Sequence, residues 1–190
     1  MKFILLVSGK RFVGKDTVCD LLRTKLVEKS ISVEKFAAAD ECKRLFAIEN
    51  SLDFEKLKND RNYKEQNRTR LTEFFWKHDL NIFDKLVAKS IFESTVSVCI
   101  LTDFRFQSQL QHIQSINNAF IYTIRINCDD NIRSERGWIF EEKKDNDATE
   151  NSLDNFSFSI VIENNATLTE LEKKVDEIIK KISAEKVANL

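Results

Sequence analysis

Strands and helices alternate along this chain, and the alternation predicts a three-layer α/β/α sandwich on a mostly parallel five-stranded sheet. Three observations carry the prediction. The apolar run Phe3-Ile4-Leu5-Leu6-Val7 leads directly into Gly9-Lys10-Arg11-Phe12-Val13-Gly14-Lys15, a glycine-bounded turn that opens a helix. Val96–Leu101 is a second continuous apolar run, as in a parallel strand buried on both faces, and it ends in Thr102-Asp103. Elsewhere apolar residues recur at helical spacing.

The elements follow in order. After the first strand and its turn, Thr17–Lys29 places Val18, Leu21, Leu22 and Leu26 on one helix face. Ile31–Phe36 reads as a short second strand. Asp40–Asn50, Phe54–Asp60, Asn62–His78 and Leu80–Ser94 read as helices, and the absence of proline favours their running unbroken. Val96–Leu101 is the third strand, Phe106–Ile116 a helix, Ala119–Ile126 the fourth strand and Asn131–Trp138 a short helix. The charged stretch Glu141–Glu150 is the best candidate for a mobile segment or a solvated loop. Phe158–Ile162 is the last strand, and Leu168–Lys186 the last helix, with Leu168, Leu171, Val175, Ile178, Ile179 and Ile182 on its apolar face. In such sheets ligands bind beyond the carboxyl ends of the strands. The glycine turn and Asp103 therefore face one crevice.

Composition narrows the class. At 190 residues, 42% hydrophobic and 32% charged, the chain reads as one soluble domain, residues 1–190. A formal net charge of −1 argues against an extended nucleic-acid footprint. Cys19, Cys42, Cys99 and Cys128 are far apart, and only two histidines exist, so no zinc site is expected. The cysteines read as core residues or free thiols of a reducing compartment. The N-terminal apolar run is a core strand rather than a signal peptide, and no apolar stretch is long enough to span a bilayer. The expectation is a cytoplasmic monomer that meets small molecules, not nucleic acid or membrane. Ala188-Asn189-Leu190 loosely resembles a peroxisomal import tripeptide.

Strand, G-x-x-x-x-G-K and helix together make a P-loop, whose backbone N–H groups and helix N-terminus cradle the phosphates of a nucleoside triphosphate such as ATP. Gly9 and Gly14 let the backbone approach, and Lys15 reaches the β- and γ-phosphates. Where a Ser or Thr usually holds Mg²⁺ stands Asp16, followed by Thr17. Asp16 reads as a metal-shell or acid/base residue, and as a carboxylate favoured by the helix dipole in any case. Asp103 suits Mg²⁺, usually through water, or the proton of the attacking oxygen; a strand-end turn residue is the plain alternative. Lys10, Arg11, Arg105, Arg125, Arg133 and Arg136 supply positive charge near predicted strand ends, although Arg125 could pair with Asp129. Arg133 and Arg136, three apart, share a helix face. His78 and His112 read as structural, and Trp76 and Trp138 as core or lid packing.

These pieces resemble the animal-type phosphomevalonate kinases, which are P-loop kinases of nucleoside-monophosphate-kinase shape with a lid. The likeness runs through Leu6-Val7-Ser8-Gly9-Lys10-Arg11 and Gly14-Lys15-Asp16, Tyr63-Lys64-Glu65, Thr102-Asp103-Phe104-Arg105 and Ile124-Arg125. It continues through Arg133, Arg136-Gly137-Trp138-Ile139-Phe140, Asp147-Ala148-Thr149-Glu150, Leu153-Asp154-Asn155-Phe156 and Val161-Ile162-Glu163-Asn164-Asn165. It implies ATP and Mg²⁺ as cofactors and phosphoryl transfer to the phosphate of 5-phosphomevalonate. A helical region over about residues 40–94 would take the acceptor, and a lid over about 129–150 would close on it.

By the same resemblance Lys15, Asp16, Arg11, Arg105 and Arg136 are catalytic. Gly9, Lys10, Arg11, Gly14, Lys15, Asp16, Thr17, Arg125, Arg133 and Asn164 bind ATP, with Asn164 near the adenine. Lys43, Lys64, Asp103, Arg105 and Arg136 hold the acceptor, and Asp16 and Asp103 the metal. Phe12, Val13 and Phe106 stand where relatives carry Lys, Ser and Arg, and Glu73 about where an Arg is expected; Lys10, Arg68 or Arg70 are the candidate substitutes. Two alternatives stay open. One is a deoxynucleoside monophosphate kinase, with Tyr63, Phe74, Phe75 and Trp76 stacking a base and Gln66 and Asn67 reading its edge. The other is a nucleotide-binding module that transfers nothing.

Overall fold

The computed structural model describes residues 2–188, so the Asn189-Leu190 end of the tripeptide singled out above lies outside the described residues. The chain runs β1 (Lys2–Ser8), α1 (Lys15–Glu28), β2 (Val33–Phe36), α2 (Ala38–Asn50), α3 (Phe54–Asn59), α4 (Arg61–Lys77) and α5 (Leu80–Glu93). It continues β3 (Val98–Leu101), α6 (Gln107–Gln114), β4 (Ala119–Asn127), α7 (Asp130–Glu135), α8 (Glu142–Asp145), α9 (Ala148–Asn151), β5 (Ile160–Glu163) and α10 (Leu168–Ala188). The five strands form one sheet in the order β2-β3-β1-β4-β5, and every pairing is parallel.

β1 sits at the centre and sorts its side chains by the period of two. Phe3, Leu5 and Val7 enter a core with Val18, Leu22 and Leu26 of α1 and Leu171, Val175 and Ile179 of α10. Ile4 and Leu6 enter the opposite core with Cys42, Phe46, Phe83, Val87 and Ile91 from α2 and α5. Each fully buried Leu, Ile or Phe contributes about 1.5–3 kcal/mol. A sheet covered on both faces therefore follows from these runs, and α1 and α5 are aimed by it.

Several ends are set by short polar devices. Asp53, Asp60 and Asp79 cap α3, α4 and α5 by accepting from the N–H groups of Lys56, of Asn62 and Tyr63, and of Asn81. The pairing of β1 with β3 continues past the sheet, because Phe104 donates its N–H to Val7 O at 3.0 Å. Asp103 and Arg105 are thereby laid beside the glycine turn, as the strand ends predict. The stretch Glu141–Glu150, read as mobile or solvated, holds α8 and the start of α9 and rests against that turn.

Candidate active site

The loop between β1 and α1 requires its two glycines. Gly9 has φ +155°, and a Cβ there would stand 2.7 Å from Ile126 O. Gly14 has φ +92°, and a Cβ would stand 2.5 Å from the Asn164 amide nitrogen. Lys15 curls back over the loop and donates to Gly9 O at 2.5 Å and Lys10 O at 3.1 Å. Burial first, and Arg105 second, lower its pKa below the ordinary lysine value. Asp16 and Thr17 are exposed in the first turn of α1, and no hydrogen bond or ion pair engages Asp16 among the described residues. Asn164, expected near the adenine, is buried and donates to Val13 O at 2.9 Å, which braces the loop from behind.

The predicted cations gather around this loop, each held by an acid or a carbonyl. Arg11 gives Nη1 to Asp145 (3.0 Å) and Nη2 to Glu141 (3.1 Å). Arg105 gives Nη1 to Glu150 (2.7 Å). Lys10 and Arg125 share Asp154, at 2.7 and 2.9 Å, so Arg125 pairs with Asp154 and not with Asp129. Arg133 is buried, lies 3.9 Å over the Trp138 ring and donates Nε to Arg11 O at 3.1 Å. Arg136, the residue that closes α7, donates Nη2 to Asn164 O at 2.9 Å. Arg133 and Arg136 thus grip the loop's backbone and its brace.

Beside the loop opens a cavity of about 620 Å³. Arg11, Lys43, Lys64, Arg68, Arg105, Lys143 and Lys144 line it together with the acids Asp84, Asp103, Asp147 and Glu150 and the apolar Leu71, Phe75, Trp76 and Phe83. Lys43 and Lys58 ion-pair with Asp40 at 2.6 and 3.0 Å. Burial alone would raise the Asp40 pKa, but the hydrogen bonds from these lysines hold it below the usual carboxylate range. Lys64 is lowered by burial and then by Lys43. Asp103 lines the cavity, but its two oxygens accept from Ala38 and Ala39 N–H at 2.9 and 2.8 Å and so cap α2. Burial raises its pKa despite those bonds. Asp84, also buried and raised by burial, accepts from Ser108 Oγ at 2.5 Å.

Of the three substitutes for the missing cations, only Arg68 lines the cavity. Lys10 is turned to Asp154, and Arg70 donates to Asn50 at 2.6 Å on another face. Phe12 is 43% exposed with φ +62°, Val13 packs into the core, Glu73 is exposed and Phe106 lines the cavity. Lys143 and Lys144 escape a sequence search because they lie in a polar stretch with no phosphate motif. So do the acids Asp40 and Asp145; Glu150 and Asp154 stand in pieces that carry the resemblance, but with no role attached to them. The base-reading set is not assembled: Phe74 is in the core, and Asn67 is buried and donates to Tyr63 O. Trp76, read as core or lid packing, is 48% exposed at the cavity.

The donor set suits Mg²⁺ carried on phosphates. Mg²⁺ keeps several waters and needs one or two carboxylates besides the phosphates. Among the described residues no group of three or more His, Cys, Asp or Glu forms a metal cage. Asp16 offers the accessible carboxylate.

A phosphate loop at the end of the central strand, with a cationic cavity beside the next strand end, defines the P-loop kinase class. The fold agrees with solved kinases. The APS kinase of Mycobacterium tuberculosis matches with a TM-score of 0.55 and 9% identity, over 96% of this chain and 98% of that one. The shikimate kinase of Acinetobacter baumannii matches with a TM-score of 0.54 and 11% identity, over 98% and 95%. Sequence goes further. The family model for phosphomevalonate kinase matches residues 7–119. The phosphomevalonate kinase of Drosophila melanogaster is 25% identical over 177 residues, 88% of this chain and 91% of that protein. The chain belongs to the phosphomevalonate kinase family, and it is an ATP-using phosphotransferase, which sets aside the reading of a module that transfers nothing.

Proposed function

We propose that this chain transfers the γ-phosphoryl group of ATP to the phosphate of 5-phosphomevalonate, giving 5-diphosphomevalonate and ADP, with the following division of labour. The attacking atom is an acceptor phosphate oxygen, already ionised near neutral pH, so charge compensation matters more than a general base. Lys15 exchanges Gly9 O and Lys10 O for the β- and γ-phosphates. The loop N–H groups and the α1 terminus take the remaining oxygens, with Gly9, Gly14 and Lys10 shaping that cradle. Arg11 and Arg105 face the transferring group, and Arg136, Arg133 and Asn164 keep the loop in shape. Arg125 holds Asp154 and, through it, Lys10 on the ATP side. Lys43, Lys64 and Arg68 hold the acceptor's anionic groups, and Asp103 anchors the wall on which Lys43 stands. Asp16 and Thr17 would hold Mg²⁺, which when bound offsets charge across the β- and γ-phosphates.

The observation that carries this reading is the cavity itself: its lining combines seven cations with apolar side chains, and Arg11 and Arg105 bring it to the phosphate loop. A small branched acceptor with a phosphate, a carboxylate and a methyl group suits that mixed lining. We further propose that the chain acts as one domain and a monomer, and that it works in the cytosol, a reducing compartment that suits its four free cysteines.

The test is ADP release from Mg·ATP with 5-phosphomevalonate, against deoxynucleoside and ribonucleoside monophosphates, with Lys15→Met as blank. Stimulation by phosphomevalonate alone is expected. Stimulation by a nucleoside monophosphate instead would overturn the acceptor.

A further inference from the structure

Glu150 is one of two buried acids that line the site, with its side chain 5% exposed. A buried carboxylate is stable only when its oxygens are fully engaged. Oε2 accepts the Arg11 backbone N–H, a member of the phosphate loop, at 2.8 Å. Oε1 accepts Arg105 Nη1 at 2.7 Å. One side chain therefore joins the phosphate loop to the cation that follows β3.

The way Arg105 is held matters most. Both of its side-chain bonds use the same nitrogen: Nη1 donates to Glu150 and to Thr149 O at 2.9 Å. Among the described residues, Nε and Nη2 donate to nothing. These two nitrogens form the guanidinium edge that grips a phosphate in bidentate fashion. The backbone of Arg105 is pinned as well. Its N–H donates to Gln109 Oε1 at 2.7 Å, and its carbonyl accepts from Ser152 Oγ. Arg11 differs, because both of its terminal nitrogens are engaged by Asp145 and Glu141. Lys15 senses both members of the Arg105–Glu150 pair, Arg105 lowering its pKa and Glu150 raising it, so the pair lies beside the ammonium that meets the phosphates.

We infer that Glu150 is a positioning residue for phosphoryl transfer: it holds Arg105 against the phosphate loop so that the Nε and Nη2 edge is presented to the phosphates. This rests on the reading that Arg105 contacts phosphate. Glu150 touches no substrate and acts through Arg105 and through the Arg11 N–H. Its carboxylate also keeps α9 on the loop, so the segment that closes the site and the cation that serves it are set by one contact.

The experiment is a double-mutant cycle on the full chain, with kcat, both KM values and thermal melting measured for Glu150→Gln, Arg105→Ala and the double variant. Glu150→Gln keeps shape and loses charge; it should lower kcat/KM for phosphomevalonate about 10- to 100-fold, the scale of one charge-assisted contact. Arg105→Ala should lower it at least as much. The double variant should fall well short of the product of the two single losses, since without Arg105 Glu150 has only the Arg11 N–H left to hold. Glu150→Asp, which keeps the charge, should recover part of the loss, and it carries the same cycle should Glu150→Gln fail to fold. Unchanged kinetics in Arg105→Ala would overturn the Arg105 reading and this inference together. An impaired Arg105→Ala beside a wild-type-like Glu150→Gln, or losses that multiply in the double variant, would overturn the inference and leave the Arg105 reading standing.

Discussion

Asn164 donates its side-chain amide to the carbonyl oxygen of Val13 at 2.9 Å, tying the residue after β5 to the phosphate loop 151 positions earlier. Asn164 itself is held, because its own carbonyl accepts from Arg136. The loop is thus braced by Asn164, which Arg136 holds in turn. Removing the amide leaves the Val13 carbonyl short of a buried partner, at a cost of about 1–3 kcal/mol. Asn164→Ala should lower the melting temperature and weaken binding of inorganic tripolyphosphate as much as that of ATP. A loss confined to ATP would instead mark Asn164 as an adenine contact.

Lys15 is the loop's own cation. Lys15→Met should reduce kcat by about 10²–10³-fold, the usual effect of deleting one donor aimed at transition-state charge. ATP binding should fall less, since the backbone N–H cradle survives. A variant with near wild-type kcat in the ADP-release assay would remove Lys15 from the chemistry.

The lowered pKa of Lys15 has a signed consequence. Its charged form is the one needed, and burial followed by Arg105 disfavours that form in the free enzyme. As pH rises through the folded pKa, Lys15 loses its proton. The alkaline limb of kcat/KM, which reports the free enzyme, should therefore fall below the pH of an ordinary lysine. For stability the sign is opposite. Between the folded pKa and the unfolded value of 10.5 the unfolded chain binds the extra proton, so this residue's contribution rises with pH across that window. Lys15→Arg should remove the alkaline limb in whatever activity remains.

Arg68 and Lys143 line the cavity that lacks the cations expected near positions 12, 73 and 106, whereas Arg70 does not. Arg68→Ala and Lys143→Ala should each raise KM for phosphomevalonate about 10-fold, the lower end for a charge-assisted contact. Arg70→Ala should leave that KM unchanged. An equal effect from all three would point to general surface charge rather than to these positions.

Arg133 is a packing residue as much as a cation. Its guanidinium lies over Trp138 and donates to Arg11 O and Asp130. Arg133→Ala should destabilise the chain by about 1.5–3 kcal/mol in chemical denaturation. Arg133→Lys should recover little of this, because an ammonium cannot stack or reproduce the fork.

The fold was legible because its signals are local. β1 and β3 are apolar without interruption, and the glycine spacing after β1 admits a phosphate loop. Asp103, at the end of β3, lines the cavity beside Arg11. What its carboxylate touches was not legible, because the N–H groups of Ala38 and Ala39 reach it only when β2 lies beside β3. The same limit explains Arg125, whose partner is Asp154, 29 residues on, and not the nearer Asp129. The stretch 141–150 reads as solvated from its charges, yet its carboxylates face Arg11 and Arg105.

By itself the sequence determined the layer architecture, the phosphate loop, the family and most of the cations. Side-chain periodicity and turn chemistry depend on neighbours a few residues away, so a linear reading captures them. The tertiary structure decided which acid holds which cation, which guanidinium edge is free, and that Asn164 braces the loop. Those pairings join residues up to 151 positions apart, and they exist only because parallel strands bring their carboxyl ends to one side of the sheet.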